Sequence, residues 1–242
     1  MHRCFLEKHF NIGDFVEIAG DEATHIQRVL RLCEGDEIEI FCGDGMVSEA
    51  VIKSVSKQSV TVEIKKTFES LAEPKTHIVL FQGIAKEAKM DYIIQKATEL
   101  GISEIVPVET EFSVVKIKDS AKKTERWQKI ALEAAKQCKR ATVPAIKEPV
   151  PFEKAINLLK QNDIYFAPYE CEKEGSLKDL LNNKKVKSAG YIIGPEGGFS
   201  HKEAQIFKDE NIPLVTLGKR ILRAETAATA TLSVLMFCFG EI

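Results

Sequence analysis

Hydrophobic and polar positions change rhythm near residue 70 of this 242-residue chain. Residues 59–66 alternate Val60, Val62 and Ile64 with polar side chains, the period of a half-buried strand. Residues 15–18, 37–41 and 46–55 also read as strands, and a Gly43-Asp44-Gly45 turn joins the last two. Residues 21–32 break the run with helical spacing that sets Ala23, Ile26, Val29 and Leu30 on one face. Closely spaced strands with one short helix predict a small barrel. Residues 69–76, containing Pro74, read as a linker.

Beyond it, strands and helices alternate. Apolar runs at 78–81, 105–108, 164–167, 191–193 and 213–217 read as strands. Between them, 86–100 is predicted as a helix with Met90, Ile93, Ile94, Ala97 and Leu100 inward. Residues 124–140 form another with Trp127, Ile130, Ala131, Ala134 and Cys138 on its core side; 152–160 and 177–182 follow. This alternation predicts a parallel sheet covered on both faces, an α/β domain. The division expected is 1–70 and 71–242. Residues 225–239 form a last helix, apolar nearly all round, which must be buried on every side. Trp127 and Phe237 read as core.

Net charge is −2 overall, with no general nucleic-acid signal, but its distribution is uneven. Residues 1–70 carry 8 Lys/Arg against 13 Asp/Glu, whereas 116–140 carry 9 against 3. The six cysteines are scattered without a Cys-x-x-Cys pair, and the five histidines do not cluster with them in sequence. Neither a metal site nor a disulfide framework is expected. No signal peptide or membrane span is read, so a reduced cytoplasmic setting is expected.

The candidate chemistry lies in two strand–loop–helix units. Tyr191-Ile192-Ile193 runs into Gly194-Pro195-Glu196-Gly197-Gly198-Phe199-Ser200, where three glycines and a proline forbid regular structure. Ser200 and Glu203 have capping-box spacing, so a helix starts there. About twenty residues on, Leu217-Gly218-Lys219-Arg220-Ile221-Leu222-Arg223-Ala224-Glu225-Thr226-Ala227 repeats the plan. Ligands of parallel α/β sheets bind outside the carboxyl ends of the strands, where both loops lie. Neither loop has dinucleotide or triphosphate spacing, and Glu196 would repel a phosphate. A ligand without phosphates, held largely by backbone groups, is expected.

These two motifs closely resemble those of the RsmE family, 16S ribosomal RNA uridine-N3 methyltransferases of the SPOUT superfamily. The likeness extends to Arg28-Val29-Leu30-Arg31 before Gly35-Asp36, to Gln95-Lys96-Ala97-Thr98-Glu99-Leu100-Gly101, and to Glu133-Ala134-Ala135-Lys136-Gln137-Cys138-Lys139-Arg140 before Val143-Pro144. It implies a PUA-like β-barrel that binds RNA, followed by an α/β domain whose last strands and helix thread into a trefoil knot. It also implies S-adenosylmethionine in that knot, a homodimer, and 16S ribosomal RNA of the small subunit as partner. In one place the chain departs: Phe112 stands where the family commonly has arginine after Thr110-Glu111.

On this resemblance the cofactor would contact Ile193, Gly194, Gly197, Gly198, Leu217, Gly218, Ile221 and Leu222. N3 of uridine is protonated at neutral pH, so transfer requires stabilisation of negative charge developing on the ring. Arg223 is the candidate for that task. Glu225 would orient Arg223 or cap the last helix. RNA phosphates call for basic side chains on accessible faces; the candidates are Arg3, Arg28, Arg31, Lys86, Lys89, Lys96, Arg126, Lys136 and Arg140. Two alternatives stay open: an RNA-binding assembly protein that keeps the fold without catalysis, and a methyltransferase of the same superfamily acting on transfer RNA.

Overall fold

The structure, a computed structural model, describes residues 1–113, 119–182 and 185–242. Lys116 and Lys118 of the basic segment lie outside the described residues. The chain separates into two units, Met1–Glu73 with Ala135–Val143, and Pro74–Ala134 with Pro144–Ile242.

The first unit holds β1 (His2–Phe5), β2 (Phe15–Ala19), α1 (Gly20–Thr24), β3 (Glu37–Phe41), β4 (Met46–Val55) and β5 (Ser59–Glu69). The strands form one curled sheet in the order β1-β3-β4-β5-β2. Two register shifts between β4 and β5, at Glu49/Ala50 and Ile52/Ser54, bend it. The predicted alternation is realised: Val60, Val62 and Ile64 are buried against Ile18, Ile38, Ile40 and Ile52. Strand β1 was not foreseen, because Met1–Phe10 mixes charges with apolar residues and shows no clear period.

The helix expected over 21–32 is replaced by α1 and a π-helical turn over His25–Leu30, closed by Arg31 at φ 54°. Bonds of the i→i+5 type wind fewer degrees per residue than an α-helix. Ala23 and Ile26 therefore stay in the core while Val29 swings out to 66% exposure.

The second unit contains β6 (His77–Gly83), α2 (Glu87–Glu99), β7 (Glu104–Glu109), β8 (Ala145–Ile146), β9 (Val150–Pro151), α4 (Phe152–Leu159) and β10 (Ile164–Pro168). Helix α3 (Ser120–Cys138) precedes β8, and most of it lies in this unit. There follow α5 (Leu177–Leu181), β11 (Ser188–Ile193), α6 (His201–Asp209), β12 (Leu214–Val215) and α7 (Ala224–Phe239). The sheet runs β12-β10-β11-β6-β7-β8, with β9 also on β7, and each of these pairs is parallel. Strand β6 is buried at every residue after His77, as a central strand covered on both faces must be. All carboxyl ends consequently face one edge.

The capping box at Ser200 is present. Its hydroxyl accepts from the Glu203 amide, and Glu203 Oε2 accepts from the Ser200 amide. The other Glu203 oxygen accepts from the Glu111 amide at 2.9 Å, tying α6 to the 110–113 turn. Helix α7 departs from expectation. Ala228, Leu232, Leu235 and Met236 are buried, but Val234 is 42% and Phe237 72% exposed. Phe237, read as core, lies outward because the unit's own elements cover only one face of α7. Trp127 is buried as read.

Candidate active site

Three carboxyl-terminal strand ends build one cavity of about 340 Å³. Pro168 ends β10 and Tyr169 and Glu170 follow it, Ile193 ends β11 and Gly194 to Phe199 follow it, and Thr216 to Ala224 follow β12. All eight residues expected at a cofactor line it: Ile193, Gly194, Gly197, Gly198, Leu217, Gly218, Ile221 and Leu222. Two glycines supply left-handed turns, Gly198 at φ 69° and Gly218 at φ 103°. A Cβ on Gly218 would meet nothing within 4 Å. Its requirement is therefore conformational, and its backbone stays open to the cavity. Apolar walls from Pro168, Ile193, Leu217 and Leu222 beside bare backbone suit a nucleoside-sized ligand.

The floor was not legible in the sequence. Gln82, fully buried at the end of β6, donates from Nε2 to the Gly83 carbonyl at 3.0 Å and to the Gly194 carbonyl at 3.3 Å. A Cβ on Gly83 would lie 2.6 Å from Pro195 Cδ, so the loop rests directly on the end of β6. Buried polar side chains need partners, which makes a Gln near the end of an apolar strand a signal only in retrospect. The buried Tyr191 hydroxyl donates to the Ala228 carbonyl at 3.0 Å, joining β11 to α7. Phe112, half exposed, packs on the far side of the first loop, its Cβ 3.0 Å from where Gly197 would carry one.

Arg223 is exposed at the N-cap of α7, on the cavity wall, and forms no ion pair with any described residue. Glu225 does not orient it. That expectation is corrected: the Glu225 carboxylate lies 3.6 Å from Lys89 Nζ, which also sits 3.5 Å from Glu196 Oε1. Glu196 Oε1 accepts from the Lys86 amide at 3.2 Å. Burial pushes the Glu196 carboxyl up, but amide donors and the Lys89 charge outweigh it, so it is held below its usual value.

Of the nine basic residues expected to meet RNA, three are turned inward. Arg3 pairs with Glu39 at 2.7 Å across the β1–β3 register, its side chain 7% exposed. Lys136 pairs with Glu22 at a side chain 17% exposed. Arg140 pairs with Glu73 at 3.0 Å and is 4% exposed. It lies beyond the helix expected over 124–140, because α3 ends at Cys138 and Lys139 turns the chain at φ 62°. Their surroundings carry a carboxylate for each cation, which removes them from a phosphate-facing surface. Arg126 pairs with Asp91 and with Glu87 at 3.1 Å, and Lys96 with Glu99 at 2.8 Å, both partly exposed. Arg28, Arg31 and Lys86 are exposed.

One expectation about metal ligands also changes. Histidine and cysteine do meet in space: His9 Nδ1 lies 3.7 Å from Cys42 Sγ and 3.1 Å from Asp44 Oδ2. Burial, then the Asp44 carboxylate, pushes the Cys42 thiol up to about 11, so it is a neutral hydrogen-bonding group.

Comparison with known proteins supplies the family. The RNA methyltransferase domain family matches residues 72–236, and the RNA methyltransferase PUA domain family matches residues 18–65. The chain is 32% identical over 247 aligned residues to ribosomal RNA small subunit methyltransferase E of Bacillus subtilis, covering 98% of this chain and 96% of that protein. It is 34% identical to the protein of the same name from Aquifex aeolicus, covering 93% and 95%. Among solved structures it resembles a Legionella pneumophila methyltransferase in complex with bound cofactor SAM, at TM-score 0.89, 32% identity and 97% and 96% coverage. It likewise resembles ribosomal RNA small subunit methyltransferase E of Neisseria gonorrhoeae bound to S-adenosyl methionine, at TM-score 0.89, 29% identity and 98% and 97% coverage. Matched in both units and nearly end to end, the chain belongs to the RsmE family of RNA methyltransferases.

Proposed function

We propose that this protein transfers a methyl group from S-adenosylmethionine to N3 of a uridine in 16S ribosomal RNA of the small ribosomal subunit. The observation that carries the reading is the cavity between the two glycine loops, lined by all eight residues expected at the cofactor. S-adenosylmethionine supplies an electrophilic methyl group on a sulfonium centre. Backbone groups of Gly194, Gly197, Gly198, Leu217, Gly218 and Leu222 hold the donor, Ile193 walls it, and Ile221, 87% exposed, stands at the rim. Gln82 and Gly83 set the height of the first loop. Arg223 stands at the cavity rim, where its guanidinium offsets negative charge developing on the acceptor ring. Positioning of donor and acceptor supplies much of the acceleration, as expected for an in-line displacement.

Arg28, Arg31 and Lys86 meet phosphates as exposed cations, and Arg126 and Lys96 assist from partly exposed pairs. The functional division is 1–70 for RNA binding and 71–242 for catalysis, with the last strands and helix threaded as a trefoil knot. A second copy covers the outward face of α7, making a homodimer that works in the cytoplasm. No described helix is long and apolar enough to cross a membrane.

The test measures S-adenosylmethionine binding by calorimetry and methyl transfer to small subunits from cells lacking the protein. Arg223→Ala is expected to bind the cofactor within about twofold of the unaltered protein while losing roughly 10²–10³ in kcat, the scale for one removed electrostatic stabiliser. An unchanged uridine methylation map in cells lacking the protein would overturn the assignment.

A further inference from the structure

A second cavity, shallow and more open to solvent than the first, lies between α2 and the first turns of α7. Lys89 and Arg223 line both cavities, so the two are neighbours separated by these side chains. Tyr92, Glu225, Thr226 and Thr229 complete the polar part of its wall, and Tyr92 is 48% exposed. Glu225 Oε2 is buried and accepts no hydrogen bond. Lys89 Nζ stands 3.6 Å from it and 3.5 Å from Glu196 Oε1, too far from either for a short charge-assisted bond. The site thus gathers two cations, one buried carboxylate oxygen that has an ion-pair contact to Lys89 but no hydrogen bond, and one tyrosine ring beside the cofactor cavity.

We propose that this second cavity receives the acceptor uracil, extruded from its strand, and that Glu225 accepts the N3 proton. The proposal rests on the methyltransferase reading above and deepens it. A uracil edge presents acceptor, donor, acceptor across O2, N3–H and O4. Lys89 and Arg223 are donors for the two carbonyl oxygens, and the Glu225 oxygen that accepts no hydrogen bond is the acceptor for N3–H. Cytosine would turn an N3 lone pair toward the same carboxylate and be repelled, so the arrangement selects uracil. Tyr92 offers a face for the extruded ring to stack on. Lys89 is thereby moved from phosphate contact to base contact.

The step balances. The N3–H bond breaks and its proton passes to the Glu225 carboxylate. The electron pair left on N3 forms the new bond to the methyl carbon. The bond from that carbon to sulfur breaks with its pair remaining on sulfur, so a cationic sulfonium becomes a neutral thioether. Lys89 and Arg223 offset the charge that builds on O2 and O4 during proton removal.

Glu225→Gln and Lys89→Met are compared with the unaltered protein on small subunits reconstituted with either uridine or 5-fluorouridine RNA, whose N3–H is more acidic. Glu225→Gln is expected to bind S-adenosylmethionine unchanged by calorimetry, as a folded protein must, and to lose roughly 10²–10⁴ in kcat, the usual worth of a positioned base. The fluorinated RNA should recover at least about tenfold in Glu225→Gln and far less in the unaltered protein, because only the variant lacks its base. Lys89→Met should lower kcat without that selective recovery. Near-normal kcat in Glu225→Gln, or equal gains from fluorination in both proteins, overturns the proposal alone. An unaltered protein that binds cofactor but transfers no methyl group overturns the functional reading with it.

Discussion

Gly83 illustrates how a single residue supports a site it does not line. Its α-carbon lies against Pro195 so closely that a methyl group there would sit 2.6 Å from Pro195 Cδ and 2.7 Å from its backbone nitrogen. Backbone cannot yield as a flexible side chain can. Gly83→Ala is therefore expected to cost about 1–3 kcal/mol of stability, the range for overpacking a well-packed interior. It should also weaken S-adenosylmethionine binding, because Gly194-Pro195 must lift off β6. Denaturant titration and calorimetry on the same variant check both effects; unchanged values for the two would mean the contact relaxes freely. The charged residues make the complementary point. Arg3, Lys136 and Arg140 look like RNA contacts by composition, yet each has a carboxylate brought to it by the fold.

At the scale of elements, helix starts were legible and helix faces were not always so. Ser200 and Glu203 stand three apart before an apolar run, and both reciprocal capping bonds are present. Ser200→Ala is expected to remove one of them at a cost of about 0.5–2 kcal/mol. Because Glu203 also holds the Glu111 amide, the loss should loosen the 110–113 turn as well as α6. Amide hydrogen exchange reads this directly: faster exchange at Glu203 and Glu111 together is the expected result. The helix anticipated over 21–32 went wrong in its second half. Periodicity assumes 3.6 residues per turn, and the π-turn over His25–Leu30 breaks that assumption without any mark in residue type. Strand β1 escaped for a related reason: its pairing with β3 is long-range, and Arg3 is tolerated there only because Glu39 lies opposite.

For the whole molecule, the outward face of α7 is the open matter. Phe237 and Val234 stay exposed on a helix whose other face is core. Leaving a side chain such as Phe exposed forgoes about 1.5–3 kcal/mol of burial, and adjacent exposed apolar residues on one helix face mark an association surface. Under the homodimer proposed above, Phe237→Glu is expected to convert a dimer to a monomer in sedimentation velocity. A monomer before substitution, or a dimer after it, would count against α7 as the contact. The cofactor cavity takes only the first turn of α7, at Ala224 and Ala227, so cofactor binding measured in the same variant reports whether pairing is needed to hold the loops.

The parallel alternation of strands and helices and the two glycine loops follow from the sequence by itself. Each is a local signal, since side-chain period, glycine spacing and capping pairs act over a few neighbouring residues. Only the tertiary structure decided that Gln82 and Gly83 floor the first loop, that Lys89 faces Glu225, and that a second cavity adjoins the first. Those pairings join residues more than a hundred positions apart, Gln82 with Gly194 and Lys89 with Glu225. Such contacts arise because parallel strands bring all their carboxyl ends to one edge, a property of the sheet's order that no local stretch of sequence contains.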